Sequence, residues 1–282
     1  MIPAWRAEGY NVYTLGNRPS SISDEEYDTM CRIAEDDMQR INDDFEPDMC
    51  AVILERVYQY NTNVEPMCQT LWGQGYPYNS YISNNNKIGC TAIAAGQIMK
   101  YHQRPLRYNW ASMPSNTSSP ELCQFLSDVH DGIGVNSNGG ANINEVKRYL
   151  RRMNYRASSG NYSGTATVES ILDNCPVMMF GTDKTENKNH CWVCDGMRSW
   201  SMHFEYTLLM PIFINDQLSY MEDYYSCTEM SSDCSLHYNW GYYGDANGYY
   251  YDNHLRITVG DSTVRNYSSK RKQILVSYNG SN

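Results

Sequence analysis

The sequence predicts an α+β protein on three observations. Helical periodicity dominates up to about residue 173, and short β-branched and aromatic runs between turn signals dominate from Pro176 onward. Between the N-terminal region and the strands, Gly89 delivers Cys90 into the first turn of a helix of small and aliphatic residues. Helices first and strands second give two segregated halves, one helical and one antiparallel β, and a cleft between such halves is a natural place for a site. At 282 residues the chain can bury a sizeable core. Its 22 Lys and Arg against 32 Asp and Glu leave a net charge of -10, which argues against nucleic acid or an anionic membrane as partner. No apolar run approaches the roughly 20 residues of a membrane span.

Residues 1–66 read as an N-terminal helical segment without chemistry. Ser23 and Glu26 form a capping-box pair ahead of Tyr27, Met30, Ile33, Ala34, Met38 and Ile41, which recur at helical spacing. A second short helix is expected near Ala51 to Val57, and Asn61 to Pro66 reads as a linker. From Met67 the texture changes. Trp72-Gly73-Gln74-Gly75-Tyr76-Pro77-Tyr78-Asn79 is a loop punctuated by glycine and proline, followed by the Cys90 helix, which Pro105 stops. A further helix begins at Ser119-Pro120 and ends at Gly132, Asn142 caps another, and one more covers about Thr167 to Asp173. Strands are expected at Pro176–Gly181, Cys191–Gly196, His203–Met210, Ser235–Trp240, Gly248–Tyr251, Leu255–Val259 and Gln273–Tyr278.

Cys90 sits where free N–H groups and the positive end of the helix dipole converge, which favours a thiolate. A nucleophilic thiol needs a base, a group that orients the base, and donors for an oxyanion. His190, at the start of a strand, is the candidate base. Alternation puts it with Trp192 and Cys194 while Asp195 points to the other face, so Asp195 is a poor orienting partner. The better orienter is Asn239, whose amide can hold a ring nitrogen, with Trp240 covering the pair from water. Gln74 carries a side-chain N–H suited to an oxyanion hole, beside the backbone N–H of Cys90. His102 ends the Cys90 helix, where a cationic ring suits the dipole, and His237 lies on the strand face of Asn239.

Four blocks carry a resemblance. The loop Trp72 to Asn79, the helix Gly89 to His102, the strand His190 to Gly196 and the turn Asn239-Trp240-Gly241 resemble, in order, those of the streptopain family of papain-like cysteine peptidases, a bacterial secreted group. The resemblance runs from about residue 67 to the C-terminus. It implies a papain-like fold with the site in the cleft, Cys90 as nucleophile, His190 as base and then acid, Gln74 as oxyanion donor, and Asn239-Trp240 as the element that orients and shields the histidine. It implies protein or peptide substrates, broad specificity with a hydrophobic preference, and no metal or organic cofactor. It also implies a peptidase domain over 67–282, residues 1–66 as the remnant of a pro-segment, and a secretion signal upstream of Met1. A pro-segment or protein inhibitor is a further expected partner.

Three departures stand out. Asn189 and Cys191 flank the histidine where the family has glycine and a small residue, and Tyr242-Tyr243 follows the NWG turn in place of a second tryptophan. The third, a long insertion from about Arg198 to Ser235, is expected to form a lid or substrate-contacting loop. Two alternatives stay open: a catalytically weakened papain-like module that binds peptide or inhibitor, and a metal site built on His190, Cys191 and Cys194 with Cys227 or Cys234. With Cys90 free, nine of the ten cysteines remain, an odd number for disulfide pairing.

Overall fold

The computed structural model describes residues 51–214, 217–252, 254–260 and 263–278. The helix expected on Ser23 and Glu26 lies outside them. In chain order come β1 (Ala51–Val64), α1 (Cys90–His102), α2 (Pro120–Ile133), α3 (Ile143–Arg152), β2 (Tyr155–Asn161), α4 (Gly164–Leu172) and β3 (Val177–Thr182). Then follow β4 (Asn189–Ile214), β5 (Gln217–Asn239), β6 (Gly248–Tyr251), β7 (Arg256–Val259), β8 (Thr263–Asn266) and β9 (Ser269–Tyr278). The chain divides into two compact units, one of residues 1–61 and 200–233, the other of 62–199 and 234–282. Every candidate site residue belongs to the second.

The helices start where polar caps satisfy their free N–H groups. Ser119 Oγ accepts from Leu122 N–H at 3.1 Å with Pro120 opening α2. Asn142 and Glu145 exchange reciprocal bonds at the head of α3. Ser163 caps α4, which therefore begins at Gly164, three residues ahead of the expected Thr167.

The main sheet runs β2-β9-β3-β4-β5-β6, with β1 also paired to β4, and β7 and β8 form a separate antiparallel pair. The pairings β2–β9, β9–β3, β3–β4 and β5–β6 are antiparallel. Side chains of the central strands alternate between two cores, as a period of two requires. Met178 of β3, Cys191 and Val193 of β4, and Ile274 and Val276 of β9 join the apolar faces of α1, α2 and α3. Their neighbours Val177, Met179, Trp192, Cys194 and Leu275 face a second cluster with Trp240, Leu255, Ile257 and Tyr267. The α+β class stands, with α1, α2 and α3 packed on one face of a mostly antiparallel sheet and the second cluster on its other face. Helix α1 is buried from Thr91 through Met99 because residues small enough to approach the sheet fill most of that run.

Two local expectations are corrected, and the secondary structure of a third stretch is established. Ala51 to Val57 is part of strand β1, because Val52, Ile53, Val57 and Tyr58 favour a pleated strand once a partner strand is available. The stretch 198–235, in which a strand is expected at His203–Met210, is strand to Ile214 and again from Gln217. His102 is not cationic: burial, with Tyr101 and Tyr155 packed on its ring, lowers its pKa to about 4.

That burial makes stability depend on pH. His102 and His190 titrate near 4 in the folded protein against 6.5 for a free side chain, so the unfolded chain takes up these protons first as pH falls. Their contribution is complete above about 6.5 and is lost on the way down to about 4. Melting temperature followed against pH is expected to drop across that window, and His102→Phe, which packs without titrating, is expected to flatten the drop.

Candidate active site

Cys90 is the first residue of α1, and its placement starts with Gly89. That residue has φ 92°, and a Cβ on it would meet the Gly139 carbonyl and Val135 at 2.7 Å, so only glycine fits the entry. Ile88, one residue earlier, is held on both sides. Its N–H donates to the Gln74 carbonyl at 2.9 Å, and its own carbonyl accepts from His130 Nδ1 of α2 at 2.8 Å. His130, for which the sequence named no partner, thus anchors the approach to the cysteine. Cys90 itself is half-buried. Burial raises its thiol pKa, opposed by the nearby peptide N–H groups of Cys191, Thr91 and Cys90, which favour the thiolate.

His190 is the second residue of β4, paired with Gly181 of β3. A Cβ at Gly181 would fall 2.3 Å from the Tyr267 carbonyl and 2.9 Å from Trp192, so this glycine lets the chain carrying Tyr267 close over the imidazole. Four aromatic rings surround His190: Trp192 at 6.1 Å, Trp240 at 6.3 Å, Tyr242 at 4.6 Å and Tyr267 at 5.0 Å between centroids. The Tyr242 ring lies within 7° of parallel. Burial lowers the imidazole pKa to about 4, with the Trp240 carbonyl pulling the other way. Nε2 donates to that main-chain carbonyl at 2.9 Å, and Nδ1 faces the Tyr242 hydroxyl at 3.2 Å.

The expectation that the Asn239 amide holds a ring nitrogen is corrected by these bonds. Asn239 is fully buried and its amide is committed elsewhere. Nδ2 donates to the carbonyls of Cys68 at 3.0 Å and Thr70 at 2.7 Å, while Oδ1 accepts from Gln97 Nε2 at 2.8 Å and from Gly241 N–H at 3.3 Å. It fixes the end of β5, and Trp240 orients the histidine through its backbone oxygen. Gln74 lies half-buried in its loop, tied through its carbonyl to the segment that leads into Cys90. Asp195 points away from His190, as alternation predicts, and binds His237 Nδ1 at 2.6 Å and the Cys68 N–H at 2.8 Å. His237 is therefore part of that structural contact and not of the site.

Cys191 and Cys194 face opposite cores, so they cannot close on one metal ion. Among the described residues no group of three or more His, Cys, Asp or Glu is placed to hold one. Among the described residues Cys68, Cys90, Cys123, Cys175, Cys191 and Cys194 are free thiols. No helix among the described residues is long and apolar enough to cross a membrane.

Sequence reasoning missed three participants. Tyr242 follows the NWG turn directly and was read only as an absent tryptophan. Gln97 sits two turns into α1 as its one buried amide. Tyr267 has no local signal, since its position depends on the strand connection that brings it over Gly181.

The Peptidase C10 family model matches residues 72–120 and 106–250. Among curated proteins, Thiol protease/hemagglutinin PrtT of Porphyromonas gingivalis is 25% identical over 235 residues, covering 66% of this chain and 23% of that protein. The chain thus spans about a quarter of the length of that relative. Because the matched stretches join into one that runs from Trp72 to Tyr250, well over half of the sequence, the chain belongs to the Peptidase C10 family, the streptopain family.

Proposed function

We propose that this chain is a cysteine endopeptidase that hydrolyses protein substrates through a thiolate–imidazolium pair and an acyl-enzyme. One observation carries the proposal: Cys90, at the head of α1, packs against the cluster that holds Cys191, the residue after His190, and the Cys191 peptide N–H is near enough to favour its thiolate. His190 takes the Cys90 proton at Nδ1 while Nε2 stays anchored on the Trp240 carbonyl. The thiolate attacks the scissile carbonyl, and the oxyanion is held by the Cys90 N–H and the Gln74 side-chain amide. His190 returns the proton to the leaving amine, then activates water against the thioester.

The wider reading belongs to the same proposal: a papain-like cleft as the substrate site, residues 67–282 as the peptidase domain, 1–66 as the remnant of a pro-segment, and an extracellular place of action. It rests on the four sequence blocks and on family membership. The test is covalent. An epoxide or iodoacetamide is expected to label Cys90 once per chain, with casein cleavage falling in proportion to the label. Labelling of Cys90 in a protein that does not cleave casein would instead identify a peptide- or inhibitor-binding module. Failure to label it at all would overturn both.

A further inference from the structure

Both nitrogens of the His190 ring are occupied, and their partners fix the order of the protons. The Trp240 carbonyl can only accept, so Nε2 carries the hydrogen and Nδ1 presents a lone pair. The hydroxyl 3.2 Å from Nδ1, that of Tyr242, is then the donor. Its single hydrogen is used there, so the 2.9 Å contact between the Tyr242 and Tyr267 hydroxyls is donated by Tyr267. Tyr267 donates to Tyr242, and Tyr242 donates to His190. The stacked ring of Tyr242 keeps its hydroxyl in reach, and Gly181 admits the Tyr267 backbone that places the second hydroxyl.

We infer that this hydroxyl pair restrains the base. Tyr242 occupies the ring nitrogen that must receive the Cys90 proton, and so holds the nucleophile as a neutral thiol until the hydroxyl turns away. The inference rests on the peptidase reading of Cys90 and His190. The step balances within the site: the S–H bond breaks, an N–H bond forms at Nδ1, and the Tyr242 O–H stays whole but loses its acceptor. The ionisable groups around the ring are consistent with this. Cys191 adjoins it on β4 with Cys90 as its neighbour, while Tyr242 and Tyr267 pack on the ring. Arg265, beyond Tyr267, is paired with Asp183 and Glu186, so no free charge among these groups supplies Nδ1 with an alternative partner. Burial raises the pKa of both tyrosines, which keeps their hydrogens available for donation.

The test uses the full chain and iodoacetamide, following alkylation of the Cys90 peptide by mass spectrometry across pH, with casein cleavage and melting in parallel. Tyr242→Phe keeps the ring and removes the hydroxyl. Loss of one ordinary hydrogen bond to the neutral imidazole is expected to raise the neutral-pH alkylation rate by roughly two- to tenfold and to move the acid limb of the profile to lower pH by up to about one unit. Tyr267→Phe, which removes only the supporting donor, is expected to act in the same direction by less. An unchanged or slower rate in Tyr242→Phe with an intact melt overturns the restraint while leaving a reactive, cleaving wild type untouched. If Tyr242→Phe does not fold, an unchanged rate and profile in Tyr267→Phe overturns it. If wild-type Cys90 alkylates no faster than the bystander Cys175, the peptidase reading falls and this inference with it.

Discussion

Cys90→Ala is expected to lower casein cleavage by roughly 10^5- to 10^6-fold, the scale of loss when the nucleophile of a nucleophile–base pair is removed. The protein is expected to remain folded. Position 90 is the first residue of α1 and is half-buried, alanine is the best helix former, and Gly89 still sets the entry of the chain. A change in unfolding free energy within about 1 kcal/mol is consistent with that exchange. His190→Ala is expected to lose activity on a similar scale and stability as well, because it opens a cavity among four aromatic rings and strips the Trp240 carbonyl of its donor. The two groups act as a unit, so Cys90→Ala combined with His190→Ala is expected to cleave no more slowly than Cys90→Ala alone. Casein kinetics on the three proteins measure this. A double variant far below either single one would mean that two independent devices are present.

The second large effect is expected at Asn239, in stability first and activity second. Asn239→Ala leaves the amide of Gln97, the N–H of Gly241 and the carbonyls of Cys68 and Thr70 without their partner, all at a buried position. Buried groups left unsatisfied cost about 1–3 kcal/mol each, and partial relaxation at this site brings the expected total to roughly 3–5 kcal/mol, measured by urea unfolding. Activity is expected to fall in step, because Asn239 holds the turn from which Trp240 reaches the imidazole. If the variant keeps its stability and loses only cleavage, the amide acts on the ring itself and the role assigned to the Trp240 carbonyl is wrong.

What was legible in the sequence follows from which signals are local. Helices α1, α2 and α3 declared themselves because caps and glycine stops are short-range chemistry: Ser119-Pro120, Asn142 with Glu145, and Gly89 before Cys90. Strand β2, for which the sequence predicts no element, is Tyr-Arg-Ala-Ser-Ser-Gly-Asn; it gains its structure from its pairing with β9, which no window of its own residues reveals. The stretch from Ala51 was ambiguous for the opposite reason, since apolar residues there suit helix or strand and pairing decides. At the candidate site, residue types pointed to Cys90 and His190. The group that orients the imidazole did not show, because a main-chain carbonyl belongs to every residue and an amide side chain beside it is the more conspicuous candidate. His130 on the Ile88 carbonyl and Tyr267 over Gly181 were hidden likewise, being contacts between elements remote in the chain.

The oxygen that steadies His190 is part of the peptide backbone, and any amino acid at position 240 would supply it. What must be conserved for that purpose is a curve in the chain: Gly241 at φ 70° with room for no more than hydrogen against Ile93, and the Asn247 side chain gripping the Trp240 N–H at 3.0 Å. A protein engineer wishing to retune the imidazole therefore gains little by exchanging the indole alone. Lengthening the bend or replacing its glycine would tilt the acceptor and alter proton affinity while every side chain usually counted as essential stayed in place.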